Sequence, residues 1–377
     1  MNLHRPYLVI PKLIDQPTWG GQYIVATKGW IDRKGLGQAK IGQSYELFSG
    51  SNLSLLSSSE DPLFAGEFTD RDAVQVQTAP ENSIPLSRLL DGSSVFLIKF
   101  TQALGNSFQV HIKAGLKHDV WKPKPESWYY FEPGLITLGV KPGVDWVEYQ
   151  AAVTTVQSEV SALGEQVQAG SLSYAEAQGQ VKAILAKYDP WQFVNTVPVK
   201  KNELIDLSGG GLHHSWEEDP VRAPLGNVLY ELQVEAMDDI STFRNFDKGK
   251  MGADGSVRDV HIKEYFEFID RTPMANDPAS HVVQASAVSH TESYEHDHLL
   301  ATSSYNLDQL KFLKPGAVFT EQPGRFKHLF VKSGKIKVAA SGEAVTVTTG
   351  HSCFVPAAAG EYSVENLAGD TEVLVSY

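Results

Sequence analysis

Short runs of apolar or alternating residues make up most of the chain, and glycine, proline and asparagine separate them. Examples are residues 95–100, 135–140 and 228–232. Runs of this length, separated by such turn-forming residues, are typical of β-strands. These runs do not alternate with helices as they would in βαβ units. The pattern therefore favours an antiparallel sandwich or jelly roll over a parallel sheet. The sequence therefore predicts a mainly β protein.

One segment has helical character instead. Residues 145–188 contain three glycines and no proline, and apolar residues recur there at alternating steps of three and four. This spacing places them on one face of a helix. The face comprises Trp146, Tyr149, Val153, Val156, Val160, Leu163 and Val167. A capping pattern at 171–176 begins a second helix. We predict an inserted unit of two antiparallel helices at 145–189, with its apolar face buried against the β structure.

The remaining residues suggest two β domains of unequal size. We predict that residues 1–144 and 190–275 form the larger, catalytic domain around the helical insertion. Residues 276–300 have the composition of a polar connector, and residues 301–377 are short strands with glycine-bearing turns. The latter predict a second, smaller β domain. His296 and His298 lie in this connector. We expect them to belong to a solvated segment rather than to a metal site of their own.

The charge balance limits the classes of partner. With 32 Lys and Arg against 45 Asp and Glu, the formal net charge is −13. Such a chain is not expected to bind nucleic acid or anionic lipid non-specifically. It has one cysteine, Cys353, and no apolar window of membrane-spanning length. We expect a cytoplasmic protein with no internal disulfide and no membrane partner.

The strongest candidate for chemistry is the strand-like segment at 107–111. Ser107, Gln109 and His111 alternate with apolar residues, so their side chains share one strand face. Glu126 follows fifteen residues after the histidine. If a neighbouring strand brings it alongside, these residues offer mixed N and O ligands to a divalent metal, a set that suits zinc. The alternative is an ordinary half-exposed strand with polar residues at every second position.

Two later clusters add candidate residues. Glycines at 209–211 precede His213 and His214, and only one of these histidines can point inward, because adjacent strand side chains face opposite ways. Further on, Thr242 and Arg244 share a face by parity. Arginine suits phosphate through its bidentate fork. The alternative for Arg244 is a surface pair with a neighbouring aspartate.

In this order, the clusters resemble the type I mannose-6-phosphate isomerases of the cupin superfamily. The matching motifs are Trp19-Gly20-Gly21, Ile41-Gly42-Gln43-Ser44-Tyr45-Glu46, Ser107-Phe108-Gln109-Val110-His111, Lys124-Pro125-Glu126, Gly210-Gly211-Leu212-His213, Glu231-Leu232-Gln233, Thr242-Phe243-Arg244 and Arg258-Asp259-Val260-His261. They run from Trp19 to His261. The chain departs from the family's pattern after His111, where Ile112-Lys113 stands in place of Pro-Asp.

The resemblance implies a cupin jelly-roll barrel carrying the helical insertion, followed by a degenerate cupin-like domain. It also implies an enzyme that interconverts mannose 6-phosphate and fructose 6-phosphate through a cis-enediol. One zinc per chain would be held by Gln109, His111, Glu126 and His213, with His214 as the alternative register. The implied catalytic residues are Lys124 and Arg244, and the implied substrate-binding residues are Ser107, Lys99 and Glu231.

Two alternatives stay open at this point. The first is a cupin that binds a sugar or sugar phosphate without catalysis, and the departure after His111 lends it weight. The second is an isomerase of a different phosphosugar. The expected partner is a small-molecule sugar phosphate, and the presence of both basic residues with all the implied ligands favours the enzyme.

Overall fold

The computed structural model describes residues 4–33, 35–60, 74–75, 82–90, 94–113, 115–208, 210–212 and 216–377. Strands account for 37% of the residues and helices for 21%. The prediction of a mainly β protein is confirmed. The strands pair in antiparallel fashion, as expected for short runs joined by tight turns.

The strands are β1 (Tyr7–Ile10), β2 (Lys12–Asp15), β3 (Ile41–Leu47), β4 (Asn52–Ser54), β5 (Val74–Gln75), β6 (Ser83–Pro85), β7 (Leu97–Ala103), β8 (Phe108–Val110), β9 (Glu126–Tyr130), β10 (Gly134–Val140), β11 (Val194–Val199), β12 (Leu204–Asp206), β13 (Asn227–Gln233), β14 (Phe243–Phe246), β15 (Val282–Val283), β16 (Ser286–His290), β17 (Tyr294–Ala301), β18 (Asn306–Phe312), β19 (Val318–Glu321), β20 (Lys327–Ser333), β21 (Lys335–Ala340), β22 (Glu343–Thr348), β23 (Ser352–Val355), β24 (Tyr362–Asn366) and β25 (Thr371–Ser376). The α-helices are α1 (Tyr23–Thr27), α2 (Trp146–Gln168), α3 (Tyr174–Tyr188), α4 (Ile262–Phe268) and α5 (Pro273–Asn276). Short 3₁₀ helices lie at Leu86–Arg88, Pro190–Phe193, Asp238–Ile240, Pro278–His281 and Ala357–Ala359.

The chain divides into two compact units. The first comprises Met1–Gln102, Val228–Glu235 and Val283–Tyr377, and the second comprises Ala103–Asn227 and Ala236–Val282. The domain boundaries expected from the sequence follow a different grouping and stay a prediction.

In the second unit, α2 packs against α3 and against β14, and apolar residues of α2, α3, β8 and β14 belong to one core. Asp145 caps α2 through its side chain, and Ser173 and Glu176 form the capping box of α3. The buried face of α2 includes Tyr149 and Val153, and it joins one core with the apolar residues of β8 and β14. Burying this stripe stabilises helices of otherwise average propensity. None of the helices in the described ranges has both the length and the hydropathy to cross a membrane.

The first unit contains a nine-stranded sheet in the order β16-β17-β18-β25-β20-β23-β1-β4-β6. This sheet contains both the first strand, β1, and the last strand, β25, and β1 pairs with β23. A four-stranded sheet has the order β19-β24-β21-β22. The interval 276–300 contains β15, β16 and most of β17. In β17, His296 and His298 both hydrogen-bond to Asp308 of β18.

The interior of the first unit holds several ionisable groups. Lys28 and Glu46 form a buried ion pair, with Nζ 2.7 Å from Oε1. His328 and His351 are also buried, and burial, helped by the nearby Lys28 cation, lowers the pKa of each ring to about 3. Both rings are therefore neutral at pH 7 in the folded protein. In the unfolded chain, a histidine has a pKa near 6.5.

We expect the free energy of unfolding to fall as the pH drops from about 6.5 towards 3. In this window the unfolded-state histidines bind protons that the buried rings do not bind, so acid favours the unfolded chain. Each ring contributes about 1.4 kcal/mol per pH unit, or about 2 kcal/mol between pH 6.5 and 5. Urea unfolding at a series of pH values, in buffers free of phosphate, measures the effect.

A His351→Phe variant separates this effect from that of the carboxylates, because phenylalanine keeps an aromatic ring and does not titrate. Between pH 6.5 and 5, its unfolding free energy should decline by about 2 kcal/mol less than that of the wild-type protein. Equal declines in the two proteins would show that His351 is not held neutral by the fold.

Candidate metal centre

The pairing of β8 with β14 brings polar residues of two distant segments onto one face. Gln109 lies directly opposite Arg244 in this antiparallel ladder, and directly opposed residues project from the same face. His111 follows Gln109 by two residues, and Thr242 precedes Arg244 by two. The Thr242 Oγ1 lies 3.4 Å from His111 Nδ1. The alternate side chains of 107–111 and of 242–244 thus lie on one shared polar face, in line with the alternation seen in the sequence.

A buried pair of acceptors is the main feature of this face. His111 and Glu126 are almost fully buried, and His111 Nε2 lies 3.3 Å from Glu126 Oε2. The other ring nitrogen, Nδ1, lies 2.7 Å from the carbonyl oxygen of Ser241. A carbonyl only accepts, so Nδ1 carries a proton and donates it. In the neutral ring, Nε2 then directs a lone pair at a carboxylate oxygen.

Two facing lone pairs need a positive charge between them, either a proton on Nε2 or a metal cation. A carbonyl bound to the far nitrogen is the usual arrangement of a metal-ligating histidine, because it sets the tautomer and the ring orientation. The donor set of Gln109, His111 and Glu126 combines one imidazole nitrogen with amide and carboxylate oxygens, and Gln109 is itself 8% exposed. Zinc accepts such mixed N and O ligands. The residues therefore fit the metal expected from the sequence.

The Glu126 carboxylate is held in place by its neighbours. Trp128 follows by two residues on β9 and donates its indole N–H to Glu126 Oε1 at 2.5 Å. On the other oxygen, Lys124 Nζ lies 3.6 Å from Oε2. The Trp128 ring is fixed in turn by Trp216, with ring centroids 4.7 Å apart. Oε2 is thus the oxygen that faces both His111 and Lys124.

A fourth ligand was expected from the glycine-rich loop. The Gly210 carbonyl accepts from Asp270 N at 2.9 Å, and the Leu212 carbonyl accepts from Gly139 N at 2.6 Å. A Cβ on Gly211 would lie 2.0 Å from the carbonyl oxygen of Ala275, so a larger residue would displace the loop. Close backbone approach therefore explains glycine here. His213 and His214 lie outside the described residues, and ligation by either stays a prediction.

The three expected substrate-binding residues make contacts of their own. Ser107 is buried and its Oγ lies 3.5 Å from Gln109 Oε1. Lys99 and Glu231 belong to the first unit, where Lys99 Nζ lies 3.1 Å from Glu231 Oε1. Thr101 donates to the other Glu231 oxygen at 3.0 Å. Their predicted role in substrate binding stays a prediction. Within the described ranges, no group of three His, Cys, Asp or Glu residues could by itself hold a metal.

Sequence reasoning missed two contributors to the centre. Trp128 could have been found by parity, because it lies two residues after Glu126 on a strand and so shares its face. The carbonyl of Ser241 could not have been found from the sequence, because a backbone group leaves no signal in residue type. Its position depends on the turn that leads into β14.

No protein-family model and no curated protein sequence matches the chain. Solved structures do match along its length. The mannose 6-phosphate isomerase of Bacillus subtilis superposes with a TM-score of 0.65 at 13% identity, covering 99% of both chains. A mutant phosphomannose isomerase of Salmonella typhimurium gives 0.59 at 13%, again with 99% of both chains covered. A zinc-bound mannose 6-phosphate isomerase gives 0.58 at 12%, covering 98% of this chain and 99% of that one.

The chain has the fold of the mannose 6-phosphate isomerases. This fold is mainly β and cupin-like, as the sequence resemblance implied. At 12–13% identity the likeness establishes the fold, and activity has to be argued from the residues of the site.

We expect Trp128→Phe to weaken zinc binding by about 10- to 100-fold, because it removes the hydrogen bond that orients the Glu126 carboxylate. Competition with a chromophoric chelator measures the affinity. Trp146→Phe is the matched control, since it makes the same change at a tryptophan whose ring packs against Tyr149 and Arg271 instead. Equal zinc affinity in Trp128→Phe and in the wild-type protein would exclude Glu126 as an oriented ligand.

Proposed function

We propose that the chain is a metal-dependent aldose–ketose isomerase that interconverts mannose 6-phosphate and fructose 6-phosphate. The observation that carries the proposal is the buried His111–Glu126 pair, with Nε2 3.3 Å from Oε2 and Nδ1 bound to the Ser241 carbonyl. A divalent cation between the two acceptors would satisfy both. The full-length likeness in fold to mannose 6-phosphate isomerases supports the same chemistry.

In this proposal, zinc is the metal, one per chain, and Gln109, His111 and Glu126 would hold it. His213 is proposed as the fourth ligand, with His214 as the alternative. When bound, zinc would supply Lewis-acid stabilisation of the enediolate oxygen that develops during aldose–ketose isomerisation.

We assign the proton transfer to Lys124. The reaction removes a proton from one of two neighbouring sugar carbons and returns it to the other, which requires a group that holds a proton in a protected position. Lys124 is 5% exposed, and its Nζ lies 3.6 Å from Glu126 Oε2, beside the proposed metal ligand. A lysine here is therefore close to the reacting carbons of any sugar that reaches the metal.

We assign Arg244 to the recognition of substrate charge. It lies directly opposite Gln109 in the β8–β14 ladder, so its side chain leaves the sheet on the ligand face. A guanidinium group binds a phosphate or a developing oxyanion through two parallel hydrogen bonds. Holding the substrate at a point remote from the reacting carbons converts binding energy into positioning.

The direct test is a coupled assay of the zinc-loaded chain on mannose 6-phosphate, which follows the formation of fructose 6-phosphate. We expect turnover that EDTA abolishes and that added zinc restores. Bound zinc at one per chain without turnover would reject this reaction. Calorimetric titration with phosphosugars would then separate an isomerase of another substrate from a protein that binds sugar phosphate without catalysis.

We expect Lys124→Met to lower kcat by about 100-fold or more, because it removes the group that holds the proton. Its zinc content, measured by plasma mass spectrometry, should stay at the wild-type level. Lys122→Met is the matched control, since it makes the same change at an exposed lysine two residues earlier. A Lys124→Met enzyme with near-wild-type kcat would remove Lys124 from the mechanism.

A further inference from the structure

A cavity lies within the second unit, apart from the candidate metal centre. Its volume is about 550 Å³, and its walls come from residues 140–144 with Trp146, from Asn195 on β11, and from residues 271–273 and 276–278 around α5. All of these residues belong to the second unit, and none of the described residues of the metal centre lines the cavity. Small-molecule sites in proteins have volumes of about 300–1,000 Å³. The cavity therefore has room for one small ligand.

The walls of the cavity are held together by Asn276. Its side chain is buried, its Oδ1 accepts from Val140 N at 3.0 Å, and its Nδ2 donates to the carbonyls of Asp270 and Thr272 at 2.8 and 2.9 Å. Asn195 Nδ2 donates to the Asn276 carbonyl at 3.1 Å. These bonds join β10, β11 and the segment that leads into α5. Because the frame is fixed by the fold, a ligand does not have to order it on binding.

Arg271 brings a cation to this cavity. The side chain is exposed and lines the cavity. Its guanidinium carbon lies 4.8 Å from the centre of the Trp146 ring, and its Nη2 donates to the Phe266 carbonyl at 2.8 Å. That carbonyl belongs to the last turn of α4, where a basic side chain satisfies a helix-end acceptor.

The helix-end contact does not use up the Arg271 guanidinium. It takes one of five N–H groups, and no carboxylate in the described part of the chain forms an ion pair with this arginine. The Trp146 ring and the Phe266 carbonyl fix the plane of the group. A guanidinium held in this way binds a carboxylate through two parallel hydrogen bonds.

The charged residues of the lining limit the charge of the ligand. They are Lys141, Arg271 and Asp277, so two cations and one anion give a net charge of +1. Lys141 Nζ donates to the Gln192 carbonyl at 2.9 Å, and the Asp277 carboxylate accepts from Ala279 N at 3.1 Å. A ligand with one negative charge matches this lining. A second charge would stand uncompensated in a chain with a formal net charge of −13.

Most of the remaining lining is apolar. It consists of Val140, Pro142, Val144, Trp146, Pro273 and Pro278. An apolar group that covers these side chains gains hydrophobic stabilisation, and the proline rings lose no rotamer freedom when it does so. The lining therefore favours a ligand with an apolar body.

We propose that this cavity is a ligand site for a small monocarboxylate with an apolar body, such as an aromatic or a branched aliphatic acid. The carboxylate binds the Arg271 guanidinium, and the apolar body packs against the proline and valine side chains. The site is separate from the proposed centre at His111 and Glu126, and its ligand differs from a phosphosugar in both charge and polarity.

The test is titration calorimetry of the zinc-loaded full-length chain at pH 7 with phenylacetate and with its neutral amide, phenylacetamide. The two molecules have similar size and shape, but only phenylacetate carries a charge. We expect phenylacetate to bind at least about tenfold more tightly, the factor that hydrogen bonds to a charged group provide. Equal affinities would overturn the proposal, as would the absence of phenylacetate binding up to about 10 mM.

Acetate tests the apolar half of the proposal. It carries the same charge without the ring, so we expect it to bind at least about tenfold more weakly than phenylacetate. Equal affinities would overturn the assignment of an apolar body. A titration with 4-methylpentanoate then separates the two kinds of acid. Tighter binding of phenylacetate supports an aromatic ligand, and the reverse order supports a branched aliphatic one.

Variants assign the binding to the cavity. Arg271→Met should weaken phenylacetate binding by about tenfold or more. Arg222→Met is the matched control, because it makes the same change at an exposed arginine of the same unit that pairs with Asp219 at 2.6 Å. A carboxylate also ligates zinc, and binding there does not require Arg271. Undiminished binding in Arg271→Met would therefore place phenylacetate elsewhere and overturn the proposal.

Arg271→Lys provides a second variant should Arg271→Met fail to fold, which its circular dichroism shows. Lysine keeps the charge and loses the two parallel hydrogen bonds, so we expect weaker phenylacetate binding than in the wild-type protein. Unchanged affinity in Arg271→Lys would reject the bidentate contact. None of these measurements depends on turnover of mannose 6-phosphate, so this proposal and the proposed isomerase activity fail independently.

Discussion

The antiparallel pairing of β8 with β14 is the contact on which the candidate centre depends. It sets Gln109 opposite Arg244 and brings the Ser241 carbonyl to His111. The other face of the same two strands carries Phe108 and Phe243, which join the core formed with α2. A one-residue slip of this ladder would exchange the faces, burying charge in that core and exposing aromatic rings. Packing against the helices therefore enforces the geometry of the polar face.

Within that geometry, electrostatics defines what the centre can hold. The Ser241 carbonyl commits one nitrogen of His111, and the Trp128 indole commits one oxygen of Glu126. What remains is a nitrogen and a carboxylate oxygen that face each other across 3.3 Å, with room for one positive charge between them, either a proton on Nε2 or a metal cation. At His351 too a backbone carbonyl, that of Thr349, accepts from Nδ1 and so sets the tautomer of a buried ring.

Strand alternation and helical spacing predicted several of these elements from the sequence alone. Alternation at 107–111 identified the ligand face, and steps of three and four identified α2, with the predicted cap for α3 found at Ser173. Local rules suffice here because strand and helix periodicity are properties of the backbone itself. They would also have identified Trp128 as a partner of Glu126, because the two residues lie two positions apart on β9. They do not identify the Ser241 carbonyl, because a backbone group leaves no signal in residue type, or the strands found at 282–301, where a polar composition predicted a connector.

The sequence by itself determined the strand-rich class, the two helices and the residue types able to hold a metal, because each depends on neighbours only a few positions apart. Tertiary structure alone decided that Glu126 meets His111, that a carbonyl 130 residues away selects the tautomer of His111, and that Lys28, Trp30 and His351 enclose one cavity. These contacts join segments far apart in the chain. Their formation depends on which apolar faces are buried together, and that is a property of the whole fold.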